Sequence, residues 1–347
     1  MTINDQELDR LRRFLWDTGK FRDRSKPEAL NVNLADLPLL KLGDEPLHQA
    51  IQSMQEGDAN IEPLSWLWNA RRPVADGDPG PATMALIDLP RCPIPDHPPL
   101  PGEAFDFGDP DKNQVVESYQ RWAAATGQGS WPAGCHGTPG VHEVWISHDL
   151  TRAPANVKAW WPEIKRRLYA SAAAMGVKLV EVPVGDPKAN IRHSFKGLTG
   201  NTIGLAEFNS QQCGDNVFCY LDPSYAPNLL MVLVLILHEV GHNLNEEHRP
   251  AKRLSAADAA ASWNVDKADW NGAMNPSIVF AVPQWVIRDG SRIVYQDNSY
   301  PSLKKSFGGE PIDGVPPVTP PPPTAEELVL PWKITDARGM TVIVNKV

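Results

Sequence analysis

His238 and His242 lie in the stretch VLVLILHEVGHNLNEEHRP, residues 232–250, with Glu239 directly after the first of them. At positions i and i+4 of a helix, two imidazoles project from one face and can hold the same ion. Glu239 can then reach a water bound to that ion without being a ligand. This H-E-x-x-H spacing suits hydrolysis by a metal-activated water with a carboxylate as base. Asn243 to Glu247 separate His242 from His248, and a continuing helix would point His248 away from the ion. A sharp turn must bring it back, at a residue tolerant of positive φ. Asparagine ranks next to glycine there, and Asn245 occupies the place. Three neutral nitrogens at about 2.0–2.1 Å leave the fourth position of a tetrahedral ion open, which is a catalytic rather than a closed structural arrangement. A ligand set in which HEVGH joins a downstream glutamate instead of His248 is the alternative.

The elements that must position these residues can be traced around them. The apolar run Leu229–Leu237 leads up to His238, so the first half of this helix should be buried nearly all round. Upstream, VWISHDL, VKLVEVPV, ANIRHSF, NTIGLAEF and NVFCYL read as strands, and VKAWWPEIKRRLYASAAAMG as a long helix after the first of them.

HEVGHNLNEEH resembles the metzincin signature, with Asn245 in the place of its glycine. The resemblance extends over most of residues 142–310, where the order is strand, helix, four strands, zinc helix. It implies an α+β fold: a metzincin-like zincin domain with a twisted mixed five-stranded sheet, a long zinc helix and a methionine turn. Ala273-Met274-Asn275-Pro276 is the candidate turn, with Met274 packed beneath the ligands. The implied activity is that of a zinc-dependent endopeptidase, with one zinc on His238, His242 and His248, Glu239 as general base, and a protein or peptide as substrate. Edge strand Thr202–Phe208 would bind an extended peptide by strand addition. Asp215 and Asp222 are weak candidates for Ca2+. His193, a lone histidine in a strand, reads as a satisfied or surface residue rather than a ligand.

Toward the N-terminus, Asp5–Lys20, Pro46–Gln55 and PATMALIDL read as three small helices. LHQAIQSMQ and DGDPGPATMALI resemble peptidoglycan-binding-like modules and the matrixin propeptide. Leu89-Pro90-Arg91-Cys92-Pro93-Ile94-Pro95-Asp96 resembles the cysteine-switch segment that ends such propeptides, with Pro93 replacing a glycine. The resemblance implies that Cys92 ligates the zinc in a latent form, with Arg91 and Asp96 paired, and that the prodomain is the chain's own inhibitor. Cys92 paired with Cys135, or simply packed, is the alternative. The expected organisation is a helical propeptide over 1–96, a linker and insertion over 97–141, the peptidase domain over 142–314, and a proline-rich spacer and tail over 315–347. Two rival readings are a hydrolase that grips peptidoglycan with its N-terminal module, and a zinc-bound interaction protein without turnover.

Composition bounds the rest. The 347 residues carry a formal net charge of −9 and no basic stripe, which argues against nucleic acid as a partner. The N-terminal stretch mixes acids and bases among its apolar residues, unlike a secretory signal, and no later run is long enough to span a bilayer. Export by another route, or after removal of a signal, fits a secreted enzyme. Twelve tryptophans read chiefly as core and interface packing. Of the four cysteines, Cys213 and Cys219 bracket a short loop that a disulfide could close in an oxidising compartment.

Overall fold

A computed structural model of the chain describes residues 3–26, 28, 32–57, 75–88, 91–125, 136, 142–174, 177–209, 216–226, 229–245, 248, 332–335 and 341–344. Helix α1 spans Asp5–Asp17 and opens on a capping box: the Asn4 side chain accepts from Glu7 N, and the Glu7 carboxylate accepts from Asn4 N. It buries Leu11, Leu15 and Trp16. It stops short of the predicted Lys20 because Thr18 caps it and Gly19 adopts φ 75°. A side chain at Gly19 would also meet the His97 carbonyl oxygen at 2.4 Å, so glycine is required twice over.

Helix α2, Glu45–Gly57, buries Leu47, Ala50, Ile51 and Met54, the stripe expected of an amphipathic helix facing α1. Helix α3, Pro81–Leu86, begins on proline, whose missing N–H costs nothing there. The buried Gln55 amide donates to Asp78 O and Thr83 Oγ1 and accepts from Gly77 N, which ties α2 to the turn ahead of α3. Helix α4, Pro110–Ala125, lies within the segment read as linker and insertion.

Strand β1, His142–Asp149, is followed by helix α5, Ala155–Ala174, then by β2, Val177–Glu181, β3, Ile191–Phe195, β4, Gly204–Ala206, and β5, Val217–Leu221. They form one five-stranded, mostly parallel sheet in the order β2-β1-β3-β5-β4, in which only β4 runs antiparallel to its neighbour. Parallel strands need both faces covered. Helix α5 packs on β2 and on helix α6, Leu229–Asn243, which in turn lies against β4 and β5. Val144, Ile146, Ile164, Leu168, Ile191, Leu233, Ile236 and Val240 make up the centre of this core.

His193 is buried rather than exposed. Its Nδ1 lies 3.2 Å from His148 Nδ1, Trp161 stacks on its ring, and His148 Nε2 lies 3.1 Å from the Tyr169 hydroxyl. Two short strands of the tail, β6, Trp332–Thr335, and β7, Thr341–Val344, pair with each other antiparallel. No helix among the described residues is long and apolar enough to cross a membrane. Met274, Asp215, Cys135 and Cys213 lie outside the described residues. Asp222 accepts from Ser224 and from Leu198 N. Cys92 and Cys219 are free thiols, so neither carries the disulfide weighed for it.

Candidate metal centre

Four side chains from three separate segments converge beneath the sheet edge. Helix α6 supplies His238 and His242, the chain beyond its end supplies His248, and the segment after α3 supplies Cys92. Their potential ligand atoms all lie within 4.8 Å of one another, and all four residues are buried. The apolar first half of α6, from Val232 to Leu237, is packed in the core and carries both histidines to full burial.

The helix then ends abruptly. Leu244 N reaches both Val240 O and Gly241 O, Asn245 N donates to His242 O at 2.8 Å, and Asn245 adopts φ 69°. The Asn245 Oδ1 accepts from Asn209 N at 2.9 Å, and Asn243 Nδ2 donates to Glu207 O and Phe218 O. The bend is therefore pinned to the sheet edge by two asparagines, and it returns His248 to the other two rings.

The distances fit a tetrahedral ion. With nitrogen ligands at about 2.05 Å and a thiolate at about 2.3 Å, ligand atoms should stand about 3.3 Å apart for N–N and about 3.6 Å for N–S. His238 Nε2 lies 3.0 Å from His242 Nε2 and 3.3 Å from His248 Nε2, and Cys92 Sγ lies 3.6 Å from His242 Nε2. Neutral imidazoles that point the same ring nitrogen at a common centre set lone pairs against one another, and a cation there resolves the conflict. His248 Nδ1 lies 3.2 Å from Asp96 Oδ1. Donation to that carboxylate leaves Nε2 as the free lone pair, the outer contact that ligating histidines ordinarily have.

Asp96 is a hub. Arg91 Nη2 meets its Oδ1 at 2.8 Å and Lys20 Nζ its Oδ2 at 2.8 Å. Burial disfavours its charge, but Arg91, Lys20 and His248 more than offset that and hold the carboxyl well below the usual range. The Arg91–Asp96 contact was anticipated in the sequence. Those with Lys20 and His248 were not, because nothing in the local spacing links positions so far apart. Burial also lowers the His248 pKa, against the pull of Asp96.

Glu239 is fully buried, and neither carboxylate oxygen has a hydrogen-bond partner among the described residues. Burial pushes its carboxyl well above the ordinary value, with the nearby Cys92 thiol opposing in part. Burial and the proximity of Glu239 likewise raise the Cys92 thiol. Such a carboxyl is suited to a polar partner that the described residues do not supply. Gly204 makes room for it: a Cβ there would stand 2.2 Å from Glu239 Oε1. Sequence reading placed Gly204 in a strand but gave it no role, although a glycine inside a strand signals close approach.

No protein-family profile matches the chain. Over 51 residues, 15% of its length, it is 45% identical to the snake venom metalloproteinase trimerelysin-2 of Protobothrops flavoviridis. The match covers 25% of that relative, so the likeness to a metalloproteinase is local.

Proposed function

We propose that the chain is a zinc-dependent endopeptidase of metzincin type, held latent by its own N-terminal segment. One observation carries this reading: the Cys92 thiol, from a segment 150 residues ahead of His242, lies within 4.8 Å of the ligand atoms of three converging imidazoles, where a catalytic water could stand. The local likeness to a metalloproteinase and the buried, partnerless carboxylate of Glu239 beside the cluster support it.

In this reading His238, His242 and His248 hold zinc through Nε2, and Cys92 fills the remaining vertex. The bound ion would supply Lewis-acid polarisation of a carbonyl and a lowered pKa for water. The chain's own residues do the rest. Withdrawal of Cys92 frees a vertex next to Glu239, whose Oε atoms can accept a proton from a water there and return it to the departing amine. The low-dielectric surroundings raise the basicity of Glu239 and make that acceptance easier. Asp96 orients the His248 ring, while the outward edge of β4 receives an extended peptide through its backbone. Arg91 and Lys20, gripping Asp96, keep the latent segment seated.

Metal analysis and a short peptide substrate test the proposal on the full chain. Expected are one zinc per chain, no turnover in the parent, and turnover without chain cleavage in Cys92→Ser. His248→Ala should lose zinc affinity about 10- to 100-fold or more. A loss of only a few-fold would remove His248 from the ligand set, and a Cys92→Ser protein that binds zinc yet stays inert would sink the latency.

A further inference from the structure

Strand β4 is the last in the sheet, and its backbone faces two ways. Asp222 N donates to Ile203 O at 2.9 Å and Glu207 N to Phe218 O at 3.2 Å, so positions 203 and 207 face β5. By alternation, 202, 204, 206 and 208 present their backbone groups outward. The N-terminal chain engages both ends of that outward row. At one end Arg91 forms a parallel bridge with Thr202, and its N–H donates to Asn201 O at 3.1 Å. At the other, Phe208 N donates to Ser118 Oγ of helix α4 at 2.8 Å.

Helix α4 is fitted to this rim. Gln114 Nε2 donates to Glu207 Oε1 at 2.7 Å. Tyr119 and Trp122 pack into a notch made by Leu205, Phe208 and Phe218. Trp122 stacks on Phe208 with centroids 5.4 Å apart, Tyr119 meets the same ring edge-on at 5.2 Å, and Phe208 lies 5.4 Å from the His242 ring. An aromatic notch adjoining one of the converging histidines is thus filled by aromatic side chains of the same chain. Trp122 Nε1 is buried there with no hydrogen-bond partner among the described residues. A stranded donor costs stability, and departure of the helix would recover that cost.

We infer that this notch is a substrate subsite for an aromatic or bulky apolar side chain of an extended peptide. Helix α4 is its built-in occupant in the latent chain, a block separate from Cys92. The inference rests on the metallopeptidase reading and adds a substrate preference and a second step of release. Loss of the Cys92 thiol opens the vertex but leaves the rim covered, so short substrates gain access and extended ones do not.

The test compares full-length Cys92→Ser with Cys92→Ser/Gln114→Glu and Cys92→Ser/Trp122→Ala. Gln114 is solvent-exposed, and a carboxylate there faces Glu207 and lifts the start of α4 without opening a cavity. That variant carries the test should Trp122→Ala fail to fold. Zinc content, kcat/KM for a short and an extended peptide set varied at each position, and hydrogen exchange at the Phe208 amide are measured. The double variants should gain about tenfold on extended peptides, mostly in KM, with an aromatic preference at one position and faster Phe208 exchange. Activity on the short substrate should match that of Cys92→Ser. Equal cleavage of extended peptides by all three, or no preference for aromatic side chains, overturns the subsite and leaves the metallopeptidase reading intact. Absence of zinc and of any cleavage overturns both.

Discussion

Glu239 concentrates the chemistry of the proposed centre in one side chain. A carboxylate without a hydrogen-bond partner and fully removed from water is costly to keep. That cost is understandable if the group works on a proton. In a Cys92→Ser background, Glu239→Gln should lower turnover by about 10²–10⁴-fold, because the amide accepts no proton. Zinc stoichiometry should stay unchanged, since Glu239 is not among the converging ligand atoms. The melting temperature should not fall, as an amide of the same shape places no charge in that buried position. Loss of bound zinc in that variant would make Glu239 a ligand and remove it as the base.

At the scale of elements, the packing of α5 over β1 and β3 carries a pH dependence of its own. His148 and His193 face each other there, with Trp161 and Tyr169 around them. Burial lowers the His193 pKa to about 3, against a small opposing pull from Asp149. Burial, His193 and Lys165 push His148 well below the ordinary value. Both rings are therefore neutral in the folded chain at a pH where the unfolded chain would protonate them. The stability His193 permits is fully present above about pH 6.5 and falls as the pH drops from there toward 3, by up to about 1.4 kcal/mol per pH unit, and His148 adds a loss of the same sign. His193→Phe keeps a ring for Trp161 to stack on and should flatten the acid slope by one histidine's share in urea unfolding monitored by tryptophan fluorescence. An unchanged slope between pH 7 and 5 would show that this pair does not set the acid stability. The sequence made His193 visible as a solitary ring in a strand. It could not show the partner, because only the register of β1 against β3, with His148 opposite His193, places them side by side.

The whole molecule is tied together at Asp96, which links the turn after α1 through Lys20, the Cys92 segment through Arg91 and the bend after α6 through His248. Asp96 N also donates to Thr18 O at 2.9 Å, so backbone and side chain both dock on the N-terminal module. Removing one of the two cations leaves a buried carboxylate half compensated, at about 2–3 kcal/mol. Lys20→Met should therefore let the segment leave more often and speed alkylation of Cys92 by a thiol reagent in zinc-loaded protein by about 10- to 100-fold, tenfold for each 1.4 kcal/mol. Peptide mapping distinguishes that thiol from the buried Cys219. A rate equal to the parent's would show that Lys20 does not hold the segment down.

Local pattern sufficed for much of this protein. The i, i+4 histidines with the glutamate between them, the apolar approach to His238, the asparagine at the turn and the five strands in order are all expressed over short stretches of chain. Periodicity and the φ tolerance of Asn245 act within a few residues, so they can be read without the fold. What joins distant stretches was legible only in three dimensions. Cys92 beside His242, Asp96 on His248, Gly204 under Glu239 and α4 against Phe208 each depend on how the N-terminal module and the sheet edge pack together. Burial and contact between segments far apart in the chain are set by that packing, and no spacing along the sequence encodes it.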